Sequence, residues 1–543
     1  MQSKMLEKLR DILKSKEKIR DVLHKAWESI KKGERDKICG KIIEYGILGL
    51  IIFSPLPAGS VNEWSILLIQ LTVLVMTGAY IWMKGKPKNN KILLFSTQKA
   101  KYLYLAFFAF LVFQIFPFPK FMVKIFSPKA ASFKDIFKIG FSDAKLTSFS
   151  LISWHSFREG LELLTYFFLG FLIVKTVTSR EQILRIFKVI IGVGVFEAFY
   201  GLFELTNKNP RILFYQKAHG LDSVTGTFIN RNHLSGYLEM IIPLALGLLI
   251  ARVGLYSLSG LRWREKILRL SEKNLSKNLL LSLGIVIMAL AVIFSKSRSG
   301  IFLLIFTFIL FLGLITISFE SPLYQRREIK NAIKVVLAVV LVVLFFIGIG
   351  STIDRFSLDK VLQEDRPIFW ANTVKIFSDF PLFGTGLGTF SSIYPDLRVE
   401  ENPVQLFHAH NDYLEYLSEL GIVGMVLLLG GVLFLFVYSI MIWWVRRHLE
   451  VKGLALGGIV GIACILIHSI SDFNLHIPAN MLLFSVVLSL TMVTATFRFQ
   501  EKEPKEKKKK KKGKKRTKKT PKDKKTTKAK KTTNTQKKNE AKT

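Results

Sequence analysis

His408-Ala409-His410-Asn411-Asp412-Tyr413-Leu414-Glu415-Tyr416-Leu417-Ser418-Glu419-Leu420-Gly421-Ile422-Val423-Gly424 runs directly into an apolar stretch that lasts to Trp444. A bilayer core is roughly 30 Å thick, so a spanning helix needs about 20 mostly apolar residues. Residues 422–444 meet that length and hold no charge. The quoted segment is therefore a charged head at the mouth of a membrane span. Asp412 with Glu415 three residues on reads as a capping pair that opens a helix. Tyr413, Leu414, Leu417 and Leu420 then share one face, and Gly421 is placed to end that helix or turn it into the span. His410 falls just before the helix start. Its imidazole titrates near neutrality when unperturbed, which makes it a candidate general base. The plain alternative is a capping or structural histidine.

Working outward, eleven more stretches satisfy the same length test. With 422–444 the expected spans are 41–58, 64–83, 102–118, 160–178, 186–204, 234–251, 278–295, 300–318, 333–351, 422–444, 454–470 and 480–497. The fold class is thus an all-α polytopic membrane protein of about 12 helices, with a large, partly helical periplasmic loop, 352–411, between spans nine and ten. Lysine and arginine set the orientation. Taken with a cytoplasmic N-terminus, the inner connection 84–101 carries six Lys and no acid, whereas 59–63 and 471–479 on the outside carry no Lys or Arg. The exception is 119–159, whose Phe/Ile/Lys spacing suggests a segment lying on the membrane. Both termini are expected in the cytoplasm.

Composition agrees with this division. The chain has 543 residues, half of them hydrophobic, yet it carries 78 Lys+Arg against 40 Asp+Glu. Residues 501–543 hold 22 Lys+Arg and 5 Asp+Glu. Apolar mass and basic charge are segregated, which excludes a simple globular enzyme, a disulfide scaffold and a wholly disordered chain. Cys39 and Cys464 make neither a metal cluster nor a disulfide framework. Residues 1–40 read as a basic amphipathic cytoplasmic segment, 41–497 as the polytopic domain, and 498–543 as a disordered Lys-rich tail. Anionic lipid headgroups are the tail's expected partner. No aromatic residue is interleaved for base stacking, so no specific nucleic acid is expected.

Seven of the nine histidines fall on the extracytoplasmic side of this topology. Two motifs there join the His410 segment: Thr225-Gly226-Thr227-Phe228-Ile229-Asn230-Arg231-Asn232-His233, at the mouth of the sixth span, and Ser295-Lys296-Ser297-Arg298-Ser299-Gly300, a tight turn between the seventh and eighth. The long loop adds Arg366 with Trp370 and a glycine run at 384, 386 and 388, which reads as a backbone turn because no βαβ context surrounds it. Arginine at membrane depth is costly and faces a cavity or an anion, and its planar fork matches phosphate. Arg231, Arg298 and Arg366 with His410 on one face argue for an anionic substrate arriving from the lipid. Anchoring to headgroups is the bland reading of each arginine alone. The doublets Glu364–Asp365 and Glu400–Glu401 read as solvated surface.

The ordered set Asn-Arg-Asn-His, Ser-Arg-Ser-Gly, Arg366 with Trp370, the glycine run and His-Ala-His-Asn-Asp-Tyr-Leu resembles the bacterial O-antigen ligase and polymerase superfamily. The ligase signature is met by His410, Asn411, Gly421 and Gly424. His468, Asp472, Asn474, His476 and Pro478 resemble the family's final outer loop. The resemblance implies a multi-pass enzyme of the bacterial inner membrane with an extracytoplasmic active site. It implies a metal-independent, inverting glycosyl transfer with no cofactor. The donor would be a glycan on undecaprenyl diphosphate, and the acceptor a lipid A-core, a protein or a polysaccharide. His410 would activate or orient the acceptor hydroxyl, Arg231 and Arg298 would hold the diphosphate with Arg366 as helper, and Asn411, Asn230, Trp370 and His476 would support them. The outer loops contain no Asp-x-Asp pair for a metal-bridged diphosphate. A polymerase of the same superfamily would use the same donor. A lipid-linked glycan transporter would need internal repeats and midplane charges, and neither is evident.

Overall fold

The computed structural model describes residues 31, 33–85, 91–136, 145–207, 209–217, 220–253, 273–318, 334, 338, 365–397 and 406–497. Residues 1–30 of the amphipathic start, the Lys-rich tail and, save two isolated positions, the expected ninth span lie outside these residues. So does much of 352–411. The described helices are, in chain order, α1 (33–53), α2 (Glu63–Trp82), α3 (Lys91–Ile115), α4 (Lys120–Phe126), α5 (Pro128–Ile136), α6 (Ser153–Thr176) and α7 (Arg180–Leu205). They continue as α8 (Arg231–Val253), α9 (Lys273–Phe294), α10 (Arg298–Ser318), α11 (Arg366–Asp379), α12 (Phe390–Leu397), α13 (Asp412–Trp444), α14 (Leu449–His468) and α15 (Pro478–Thr496). Two short antiparallel pairs, Phe118–Pro119 with Leu146–Thr147 and Arg211–Ile212 with Tyr215–Gln216, complete the fold.

Eight of the described helices are long and apolar enough to cross a membrane: α2, α7, α8, α9, α10, α13, α14 and α15. They coincide with the expected spans two, five to eight, and ten to twelve. Spans one, three and four overlap α1, α3 and α6, which are helical but not among those eight. α6 carries Arg158, Glu159 and Glu162 in its first turns, so its apolar part is shorter than the helix.

At the centre is α8, whose residues are buried along the whole apolar window. A helix buried on every side needs close neighbours, and α14 supplies the closest. Gly453, Gly457 and Gly461 recur every four residues and form one stripe on α14. A Cβ built on Gly457 would lie 2.6 Å from the Pro243 carbonyl oxygen, and one on Gly461 2.8 Å from that of Met240. Small residues at this spacing let two backbones touch where lipid offers no hydrophobic drive for association.

The segments 119–159 and 365–409 are not separate loops. α4, α5, α11 and α12 share an apolar cluster that includes Val123, Phe149, Phe369, Ile376, Phe380 and Tyr394. The expectation that 119–159 simply lies on the membrane is therefore incomplete: its inner face is packed under the second segment, while Phe121 and Ile125 remain exposed. Gly384, Gly386 and Gly388 all have positive φ, as a tight turn requires. This turn docks on α13 at its own break, Gly421 (φ 61, ψ −174), where the amide of Ile422 donates to the Pro381 carbonyl at 2.9 Å. A Cβ on Gly421 would lie 2.4 Å from the Leu382 carbonyl. The expected helix and the expected span are thus one element hinged at Gly421.

Candidate functional site

The connection 469–477 between α14 and α15 gathers the beginnings of five helices. Asn232, in the first turn of α8, donates its side-chain amide to Asp472. Ser299, in the first turn of α10, meets Ser471 at 2.7 Å between hydroxyl oxygens. Arg366, which opens α11, donates to the Ser471 carbonyl at 2.7 Å and faces Asp472 at 3.6 Å. The Asp412 amide, at the start of α13, donates to the Ser469 carbonyl at 2.9 Å. Asn480, at the start of α15, donates to Asn474 at 2.9 Å and to the His233 carbonyl at 3.1 Å. Each helix start carries a partial positive charge, so their convergence favours an anion.

His410 lies at the middle of this convergence. Its backbone is left-handed (φ 52), and Trp370 donates its indole N–H to the His410 carbonyl at 3.3 Å. Nδ1 of His410 is 3.2 Å from Oδ1 of Asp472. Asp472 is buried, which by itself would raise its carboxyl. The His410 bond, the neighbouring imidazoles of His233 and His410, and the Arg366 guanidinium outweigh burial and hold it far below the usual carboxylate range. An ionised carboxylate only accepts, so Nδ1 of His410 carries a proton, and in the neutral imidazole Nε2 keeps its lone pair. The arrangement can hold an imidazole in one tautomer with a basic nitrogen directed away from the protein's own carboxylate.

Phe473 divides this site from a second cluster. Its ring meets His410 and His233 edge-on, at 4.8 and 4.6 Å between centroids, and stacks on His408 at 4.3 Å. Beyond it, His408 Nδ1 lies 2.8 Å from Glu415 Oε1, and His476 Nδ1 lies 2.6 Å from Asp412 Oδ1. Burial would lower the His476 imidazole, but Glu415 and Asp412 push it up to about 10. Donor atoms of His408, Glu415 and His476 lie within 4.8 Å of one another, a spacing that a metal ion can bridge. His408 already bonds Glu415, and His476 Nε2 faces the same carboxylate oxygen at 3.5 Å, so the group also closes as an ion-pair network. This cluster walls a cavity of about 250 Å³ that reaches to Arg158, Glu159 and Glu162 of α6.

The structure brings His410, Arg366 and Trp370 together as the sequence suggested. Asn411 is beside them, but its side chain accepts from the Leu414 amide at 3.1 Å. The helix cap is therefore Asn411 rather than the expected Asp412–Glu415 pair. Glu415 reaches back instead to the Ala409 amide at 2.7 Å. Arg298 opens α10, one residue from the Ser299–Ser471 contact. Arg231 opens α8 and acts electrostatically on Lys217 and Asp222 of the preceding turn. Asn230 accepts from the Asn232 amide at 2.9 Å and shapes that opening turn. His476 falls in the second cluster, across Phe473 from His410. Sequence reasoning quoted Asp472, Asn232 and His408 within its motifs without giving them a role, and it did not single out Phe473. A lone acid in a short loop without Lys or Arg between two spans was the available signal for Asp472.

A multi-pass membrane protein with a carboxylate-held histidine at converging helix starts is the class that fold and site define. The family model described as O-Antigen ligase matches residues 283–429, so this segment is similar to that family. It contains Arg298, Arg366, Trp370 and the whole His410–Gly424 signature. Arg231 and Asp472 lie outside it, and the fold supplies Asp472 to the site. A comparison with curated proteins gave no match.

Proposed function

We propose that the protein transfers a glycan from a lipid diphosphate to an acceptor hydroxyl, as an inverting glycosyltransferase of the O-antigen ligase type. The transfer needs no metal and takes place on the extracytoplasmic face of the bacterial inner membrane. The observation that carries this reading is the His410–Asp472 pair set among helix starts that open with arginine. The acceptor O–H gives its proton to Nε2 of His410 as its oxygen attacks the anomeric carbon. The bond from that carbon to the diphosphate oxygen breaks, and the electron pair leaves with the lipid diphosphate. Asp472 stabilises the imidazolium that forms. Arg231 and Arg298, with the positive ends of α8 and α10, meet the charge that grows on the leaving oxygen. Arg366 fixes Asp472 and the Ser471 carbonyl, and so sets the angle of the dyad. Undecaprenyl diphosphate is the proposed carrier.

The test is reconstitution. Purified protein in detergent, an undecaprenyl-diphosphate-linked glycan and candidate acceptors, with a chelator present, should give product that gel and mass analysis detect. One glycan added per acceptor identifies a ligase, and a ladder of lengths identifies a polymerase. Saturable donor binding that survives His410→Ala, with no transfer to any acceptor, would replace this reading with a transporter.

A further inference from the structure

The short antiparallel pair between α7 and α8 has an apolar tip. Arg211–Ile212 pairs with Tyr215–Gln216, so Leu213 and Phe214 form a two-residue turn. A turn of this length whose first residue is left-handed favours glycine there. Leu213 takes that place with φ 51, a conformation that costs any residue with a Cβ. Phe214 is 90% exposed and Tyr215 55%. In water this tip would be unfavourable twice, once in its backbone and once at its rings.

The hairpin is folded back along α7. Tyr200 precedes the end of that helix, Leu205, by five residues, which is about 7.5 Å along the axis. Its hydroxyl donates to the Arg211 carbonyl at 2.9 Å and accepts from the Leu213 amide at 2.8 Å. The Arg211 amide donates to Glu204 at 2.5 Å. These bonds complete backbone groups that so short a ladder leaves open, as membrane depth demands. Phe196, Tyr200 and Phe203 follow one another at helical spacing and share a face. Phe196, Phe199 and Phe203 are exposed, whereas Ile190, Glu197 and Gly201 on the other side of the helix are buried. Helix α7 is long and apolar enough to cross a membrane, so its exposed side is the one that meets lipid. The hairpin thus hangs on the lipid-facing side, at the end of α7 from which the chain runs to Arg231. Lys217 fastens it there, donating from Nζ to the Ser223 carbonyl at 2.7 Å. We propose that residues 211–216 form a wedge inserted into the leaflet on the His410 side, with Phe214 and Tyr215 at the boundary of headgroups and acyl chains. The partner is bilayer lipid. Aromatic rings are favoured at that boundary, and the exposed Arg211 can extend its charged end to the headgroups. The wedge stands or falls independently of the glycosyl-transfer reading.

The experiment uses the full chain in liposomes of phosphatidylethanolamine and phosphatidylglycerol. A nitroxide is attached at Phe214→Cys, at Phe199→Cys on the lipid-facing side of α7, and at Asn209→Cys at the base of the hairpin. The native Cys39 and Cys464 are buried, and labelling of the wild type gives the background. Electron paramagnetic resonance then compares collisions with oxygen, which concentrates among acyl chains, and with a water-soluble nickel complex. The label at 214 should favour oxygen, as the label at 199 does, and the label at 209 should favour nickel. A label at 214 as open to nickel as the one at 209 would overturn the wedge. Dipolar broadening at 214 that disappears on dilution with unlabelled protein would also overturn it, because the hairpin would then meet a second copy of the chain instead of lipid.

Discussion

The contact between α8 and α14 and the loop 469–477 lie next to each other in the chain, and they are built from opposite materials. The first is a dry seam of glycine against backbone, where specificity is steric. The second is a buried mesh of carboxylate, imidazole, amide and guanidinium, where specificity is a matter of partners. A buried polar network must be completed to be stable, and breaking one member strands the others. The seam fixes where α14 ends, and its last residue, His468, leads straight into the loop that holds Asp472. The rigidity of one region is therefore the positional accuracy of the other.

That comparison can be broken first on the polar side. His410→Ala removes the base and should cost about a hundred- to ten-thousand-fold in turnover per folded molecule, measured by steady-state transfer, and it should also lower the unfolding temperature because it strands the buried Asp472 carboxylate. Asp472→Asn should lose about as much, because an amide no longer dictates which imidazole nitrogen carries the proton. Normal turnover in Asp472→Asn would mean that His410 does not depend on its tautomer.

On the dry side, Gly457→Leu places a branched side chain where the Pro243 carbonyl already sits. It should destabilise the helix pair by about 1–3 kcal/mol, read as a lower unfolding temperature in detergent, and activity should fall with the folded fraction. A variant that unfolds normally would show that the seam has slack.

A third effect, read against pH, concerns His476. Its pKa is raised by folding, so its ion pairs with Asp412 and Glu415 contribute fully below the unfolded value of about 6.5 and are lost as pH rises through about 10. The wild-type unfolding temperature should decline over that window, and His476→Gln should flatten the decline. A parallel decline in both proteins would place the pH dependence elsewhere.

The two regions also differ in how far the sequence discloses them. Hydropathy finds α8 and α14 because lipid-facing and buried helices both require long apolar runs, and the glycine period on α14 is visible by inspection. Hydropathy does not find that 119–159 packs under 365–409, because a shared core between two loops leaves no period along either one. At the site, His410 was legible as an unusual residue at a span mouth, and Arg366 with Trp370 as unusual residues of the long loop. Asp472 acquires a role only in space, where a loop 62 residues from His410 turns its carboxylate onto the ring. The capping residue was misplaced by one position because Asn411 and Asp412 are both good caps, and only the geometry of Leu414 separates them.

The central claim is that arginines at helix starts hold the diphosphate while the His410–Asp472 pair performs the proton transfer. Donor dissociation constants and single-turnover rates, measured on the same preparations of wild type, Arg298→Ala and His410→Ala, test it most directly. Arg298→Ala should weaken donor binding at least tenfold. His410→Ala should bind donor as the wild type does and transfer it at least a hundredfold more slowly. Donor binding unaffected by Arg298→Ala, or lost in His410→Ala, would contradict the division of labour.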